Sequence, residues 1–500
     1  MRFAIIISVL TFLLFHFPFY TFVFKHHDVG SFSDFTLIAS LMIAMLVANF
    51  FTVYLFFFLS KYFGKFLFSL TFIISALAVY FVNTYGVIID ESMIGNVLNT
   101  NYEESSSFFS LKLVLYIIFL GIIPAIFIIK AKIKKPTLKR FLTTTSLTLL
   151  FLVVIAFVNS PNWLWIDKNS KTLGGLAMPW SYSVNLSLFY IHKSQKNEKE
   201  IKLPDAAIAD TGKAVVVLVI GESSRRANYS LYGYDKNTNP LLSQTPDVHA
   251  FKANSSATYT TAGVKAILEY KNTGKLYEIL PNYLYRNGAG VIWRTTNWGE
   301  PPVHIKKYET KQQLRKGCKG DDCQYDEVLL TNLKEDILST KKNKVLVVLH
   351  TSTSHGPQYS QKYPPRFATF TPVCNSVELA DCSHDELINA YDNTIVYTDY
   401  LLHRVIEDLQ QLKGYKSAMI FVSDHGESLG EKNLYMHGMP MSMAPKEQYE
   451  IPFIVWVADG SEQLKPKPDA VLSQHNVFHS VLHFLGFQSP IYDSSMDIFK

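Results

Sequence analysis

A carboxylate beside an imidazole, closing an apolar run, is the first chemical signal in the chain: Asp424 and His425 follow residues 418–422 in KSAMIFVSDHGES. Mixed oxygen and nitrogen donors at a strand end, with Gly426 letting the backbone turn closely, suit a divalent cation, zinc above others. The same pair also reads as a cap plus a hydrogen-bonded histidine. Far upstream, residues 214–220 (AVVVLVI) end in Gly221 and Glu222. If both runs are strands of one parallel sheet, Glu222 and Asp424 converge at the carboxyl edge, where open α/β sheets place their chemistry. Glu222, Asp424 and His425 then form a metal site with room for one more ligand. Between the two runs, ANSSATYTTAGVKAIL offers Ser255, Ser256, Thr258, Thr260 and Thr261 before a helix. A hydroxyl activated by a metal is a nucleophile for phosphoryl transfer. Spacing does not choose among the five, and the cluster also reads as a helix N-cap, a place where backbone donors meet a phosphate. His355 in SHGP and His437 in YMHG each precede a glycine in a loop, unlike histidines on an apolar face.

These residues need a sheet to hold them. Runs 214–220, 290–293, 345–350, 418–422 and 451–457 read as buried strands. Helical stretches alternate with them, 385–412 being the longest, which predicts an α/β sheet with helices on both faces. The first 160 residues differ. Five uncharged, predominantly apolar runs, 3–24, 36–59, 66–89, 113–129 and 141–158, are each long enough to span a membrane. The first is too long for a signal peptide and lacks a small-residue cleavage site. Lys61, Lys65 and the cluster Lys130, Lys132, Lys134, Lys135, Lys139 and Arg140 lie in alternate connections, against Asp28, Asp34, Asp90, Glu91, Glu103 and Glu104 in the others. The positive-inside rule puts the amino terminus in the cytoplasm and everything after residue 158 on the far side. The net charge of +5 is therefore topological and excludes a nucleic-acid reading. Three regions are expected: 1–158 in the membrane, 159–212 as linker, and 213–500 as one exported domain. Trp163, Trp165, Trp180, Tyr182 and Tyr190 give the linker a membrane-boundary reading beside one in which they pack on the exported domain.

All four cysteines fall in the exported half, Cys318 and Cys323 in GCKGDDC, Cys374 and Cys382 in CNSVELADC. Close pairs of this kind suit local disulfides in an oxidising compartment; a zinc ribbon needs other spacings.

GESSRRANYSLYGYDKNTNP, SHGP, SDHGES and YMHG together resemble the phosphoethanolamine transferases of Gram-negative envelopes, which include the enzymes of mobile colistin and polymyxin resistance. The likeness covers nearly the whole chain. It implies a five-helix transmembrane domain followed by an alkaline phosphatase/sulfatase-like α/β/α sandwich, anchored as a monomer in the inner membrane with the catalytic domain periplasmic. The implied reaction is zinc-dependent transfer of phosphoethanolamine from phosphatidylethanolamine to a lipid A phosphate or core sugar, through a phosphothreonine. By that resemblance Thr260 is the nucleophile, with Thr258 its rival, and Glu222, Thr260, Asp424 and His425 hold zinc. His355 and His437 lie near the substrate phosphate or a second zinc, Asn297 contacts substrate, and Asn96 and Glu104 grip the donor's ammonium headgroup. Disulfides are implied at both cysteine pairs. The family's lysine after Asn297 is absent, with Pro301 near its place, and Ser256 and Ala266 stand where a further disulfide would be. A phosphoglycerol transferase or sulfatase-like hydrolase of the same fold is the near rival; a catalytically dead envelope-binding protein is the distant one.

Overall fold

Two units divide the chain, Met1–His192 and Lys193–Lys500. The computed structural model describes residues 1–26, 32–100, 102–159, 162–195, 200–458, 463–466 and 470–499.

In the first unit, helices Asp34–Leu59, Lys61–Tyr85, Leu111–Lys130 and Leu138–Val158 are long and apolar enough to cross a membrane. The first expected span is instead a pair, Arg2–Phe15 and Phe17–His26, bent by 61°, so the count is four spans, or five if the pair is one. Pro18 explains the break. It has no N–H to give back to the preceding turn and disfavours helical geometry at Phe17. His16, at the bend, is buried and its Nε2 donates to the carbonyl of Met178. The run 66–89 stops as helix at Tyr85, because Gly86 takes a left-handed φ of 72°. Ser60, Ser110 and Thr137 start three spans, each hydroxyl accepting the N–H three residues on. Leu142, Leu150, Val153 and Phe157 are exposed on Leu138–Val158, a surface suited to hydrocarbon rather than water. In the acidic connection, Asp90 caps helix Glu91–Asn99 by accepting the Met93 N–H at 2.9 Å.

The second unit is built on eight strands: β1 (Ala214–Gly221), β2 (Val248–Asn254), β3 (Gly290–Thr295), β4 (Lys307–Thr310), β5 (Lys344–His350), β6 (Lys416–Ser423), β7 (Glu450–Val457) and β8 (Val471–Ser473). Their order is β8-β2-β7-β6-β1-β5-β3-β4, and β7 runs against the other seven. Every residue of β1 is buried, as a central parallel strand covered on both faces requires. Val216, Leu218 and Ile220 share a core with the helices Thr260–Leu268 and Asn476–Phe484. Val219 turns the other way, bordering a small cavity with Leu401, Leu402 and Val405 of helix His384–Gln410. β2, β4 and β8 were not among the expected strands. Both disulfides form, Cys318–Cys323 and Cys374–Cys382, and no cysteine is free.

Candidate active site

Gly221 of β1 pairs with Ser423 of β6, so the next residue on each strand, Glu222 and Asp424, leaves the sheet at one level. Asp424 Oδ1 is fixed by two backbone donors, Ser223 N at 3.0 Å and His425 N at 2.7 Å. Ser223, at a φ of 51°, also gives its hydroxyl to Glu222 Oε1 at 2.7 Å. Asn297, in the loop after β3, donates its amide to Glu222 Oε2 at 2.6 Å and to the Thr351 carbonyl at 2.9 Å. Both amide hydrogens are thus spent inside the protein, and what Asn297 visibly does is orient Glu222.

Thr260 opens the helix Thr260–Leu268, and its hydroxyl lies 3.4 Å from Glu222 Oε2 and 3.3 Å from His425 Nε2. The rival hydroxyls turn elsewhere. Thr258 donates to Met439 O at 2.5 Å and Ser255 to Ala257 O at 2.6 Å, while Ser256 lies 3.4 Å from His475 Nε2. Glycine at 263 is what lets this helix come so close: a Cβ there would sit 2.1 Å from the Asp424 carbonyl oxygen.

The histidines share one orientation. His425 Nδ1 donates to Gly426 O at 2.8 Å and His355 Nδ1 to Gly356 O at 2.7 Å. His437 Nδ1 donates to Glu427 Oε2 at 2.8 Å. Since a carbonyl only accepts, Nδ1 of His425 and of His355 carries a hydrogen whatever the charge of the ring. His425 Nε2 faces Glu222 Oε1 and Asp424 Oδ2, each at 3.4 Å. The three rings form a group, with centroids 4.2 Å apart for His425 and His437 and 5.7 Å for His355 and His437.

The electrostatics of this cluster call for a cation. Burial, and then the charge of Glu222, push the Asp424 carboxyl up to about 7. Burial would raise Glu222 too, but the hydrogen bond and charge of His425 hold it well below the usual range. Burial opposes a proton on His425, yet Asp424 and Glu222 push it up to about 10. Burial and the charge of His425 lower His437. Among the described residues, Asp424 Oδ2 is buried without a hydrogen-bond partner, a costly state for a carboxylate oxygen that a bound cation would relieve. The donor set therefore fits zinc. Ligand atoms of Glu222, His425 and His437 also lie within 4.8 Å of one another, so His437 joins the possible ligands beside its expected place near substrate.

Two participants escaped the sequence reading. Glu427, fully buried, accepts from Tyr359 at 2.6 Å on one oxygen while the other holds His437. Ser223 was the other; the only signal for either was adjacency, in SDHGES and GESS. Asn96 and Glu104 belong to the first unit. Asn96 lies in helix Glu91–Asn99, its carbonyl accepting from Thr100 N, whereas the Glu104 side chain is outside the described residues.

A sulfatase family profile matches residues 214–487, and a profile described as phosphoethanolamine transferase EptA/EptB matches residues 45–194. The Helicobacter pylori phosphoethanolamine transferase EptA is 40% identical over 99% of this chain and 96% of its own length. The Escherichia coli phosphatidylethanolamine transferase Mcr-1 is 32% identical over 82% of this chain and 81% of its own. The integral membrane lipooligosaccharide phosphoethanolamine transferase A of Neisseria meningitidis superposes with a TM-score of 0.91 at 26% identity, covering 100% of this chain and 98% of that one. With the membrane helices and the sheet domain both matched along so much of its length, the chain belongs to the phosphoethanolamine transferase family of the alkaline phosphatase and sulfatase superfamily.

Proposed function

We propose that this membrane-bound transferase takes phosphoethanolamine from phosphatidylethanolamine and delivers it to lipid A through a covalent ester on Thr260. The observation that carries the reading is the placement of one hydroxyl: of the five candidates, Thr260 alone has hydrogen bonds to both Glu222 and His425. Glu222, Thr260, Asp424 and His425 would hold zinc, which when bound lowers the pKa of the threonine hydroxyl and offsets charge on the phosphate oxygens. Glu222 Oε2, which already receives the Thr260 hydroxyl hydrogen, is the group placed to take its proton. Oγ1 then attacks phosphorus, the bond to the diacylglycerol oxygen breaks as that oxygen takes up the proton Thr260 gave up, and the phosphoethanolamine stays on Thr260 until a phosphate oxygen of the acceptor displaces it. His355 and His437 flank the phosphate and Asn297 steadies Glu222. The N–H groups opening the Thr260 helix favour negative charge at the same point.

Lipid A as acceptor accords with the lipooligosaccharide named for the Neisseria structure. The membrane unit, 1–158, and the linker, 159–212, would hold the periplasmic domain, 213–500, close to lipid substrates, with the amino terminus cytoplasmic and the chain acting as a monomer. Full-length protein in liposomes, given phosphatidylethanolamine labelled in the ethanolamine, should release diacylglycerol and label lipid A. Intact-protein mass spectrometry should find the adduct on Thr260. Diacylglycerol without transferred ethanolamine makes the protein a hydrolase; label passing only from phosphatidylglycerol makes it a phosphoglycerol transferase.

A further inference from the structure

A buried amide lies behind the site and bonds only to its backbone. Gln474 follows β8 at the entrance to helix Asn476–Phe484 and is completely buried. Its Nε2 gives one hydrogen to Ser423 O at 3.0 Å and the other to Asp424 O at 2.7 Å, and its Oε1 accepts the N–H of Ser256 at 2.9 Å. A flipped amide would set oxygen against two carbonyl oxygens, so the orientation is fixed. The three bonds join segments far apart in sequence: the end of β6, where Asp424 and His425 emerge, and the loop four residues before Thr260.

Asp424 O is the pivot. Helix Thr260–Leu268 rests on it at Gly263, where any Cβ would collide, and Gln474 donates to it from behind. Turning this peptide unit would turn the Asp424 carboxylate and shift the Thr260 helix together. On its other side the nucleophile loop is held by Ser255 N to Tyr449 O and Gly438 N to Thr258 O, each at 2.8 Å. Neither bond reaches β6 at Asp424.

We propose that Gln474 is a positioning residue that sets the separation of the Thr260 hydroxyl from Asp424 and His425. The inference rests on the reaction proposed above and adds a residue that meets neither substrate nor metal. It specifies a geometry of the site, whereas a merely structural amide would lower stability and leave the surviving folded molecules fully active.

The test compares full-length wild type with Gln474→Met, which keeps the shape and loses all three bonds, and Gln474→Glu, which keeps the acceptor for Ser256 but turns an oxygen toward the two carbonyls. Outer-shell losses of this kind typically cost about 10–100-fold in metal affinity or activity. For Gln474→Met, kcat per folded molecule should fall within that range while KM for phosphatidylethanolamine stays within about twofold, and Gln474→Glu should fall at least as far. Cobalt titration gives a second readout that needs no turnover: both variants should bind it more weakly, with a displaced visible absorption band. If neither folds, Gln474→Asn, which keeps the amide but falls one methylene short of its three partners, decides on the same two measurements. Unchanged kcat per folded molecule with an unchanged cobalt spectrum overturns the proposal, as does a rise in KM alone. If wild type binds cobalt but transfers nothing, the reaction reading fails and the cobalt comparison still judges Gln474; wild type that does neither overturns both.

Discussion

The two sides of the candidate site are held by different means. On one side Glu222 and Asp424 continue neighbouring strands, and each carboxylate is gripped by several donors, two of them backbone N–H groups on Asp424 Oδ1. On the other, His355 and His437 sit on loops: one ring bonds to the carbonyl of the next residue, the other to Glu427. His437 is flanked by backbone at positive φ, 66° at Met436 and 92° at Gly438. A rigid sheet edge suits groups that must stay in one geometry, while loop-borne imidazoles can follow a phosphate as it changes partners. The strand-end side should therefore decide whether the reaction occurs, and the loop side how fast.

The largest effect falls on Thr260. Thr260→Ala should lower transfer by about a thousandfold or more while zinc still binds through the other ligands, and Thr260→Ser should restore part of it. A mass adduct confined to Thr258 would move the nucleophile two residues upstream. Next come the strand-end ligands: Asp424→Asn and His425→Ala should each weaken zinc binding by at least about a hundredfold and take activity with it, leaving the domain folded by circular dichroism. Full zinc content and turnover in both would break the comparison. On the loop side, His437→Ala and Glu427→Gln should slow transfer by roughly 10–100-fold, with the smaller loss for Glu427→Gln because the imidazole remains. If His437→Ala also abolishes zinc binding, then the loop supplies a structural ligand, and the division between the two sides dissolves. The smallest effect belongs to the first unit. Asn96→Ala and Glu104→Ala should slow transfer from phosphatidylethanolamine a few-fold and spare cleavage of a small soluble phosphoester, since a carboxylate and an amide are what an ammonium headgroup requires. Equal loss on both substrates would make these residues structural.

The sequence disclosed what depends on continuous apolar runs. β1, β5, β6 and β7 are buried along nearly their whole length, so their hydrophobicity alone marks them. β2 mixes exposed and buried positions, and β4 and β8 are edge pieces of four and three residues, so composition carried no signal for them. The bend at His16 was hidden because hydropathy averages over Pro18. Glu222, Asp424 and His425 stood out as polar residues ending apolar strands. Thr260 did not, since five neighbouring hydroxyls look alike until a helix start and Gly263 bring one of them against Asp424. Glu427 and Gln474 show the limit of such reading. Their importance lies in partners between 10 and 218 residues away, and no local pattern records that.

The two disulfides close loops of only 5 and 8 residues in sequence separation. Bridges this short remove little chain entropy, roughly 2–3 kcal/mol each by loop-closure arithmetic, and neither ties distant parts of the sheet together. Their value lies in which thiols meet. The ends of such short loops meet about every 10–100 ns, so although oxidation itself takes seconds or longer, each cysteine encounters its near neighbour far more often than a distant one, whether or not an eight-stranded sheet with strands more than 200 residues apart has assembled. Of the three ways to pair four cysteines, proximity selects one while the chain is still unfolded. Oxidation of such a domain need not wait for its sheet, and its maturation needs no reshuffling of mispaired thiols.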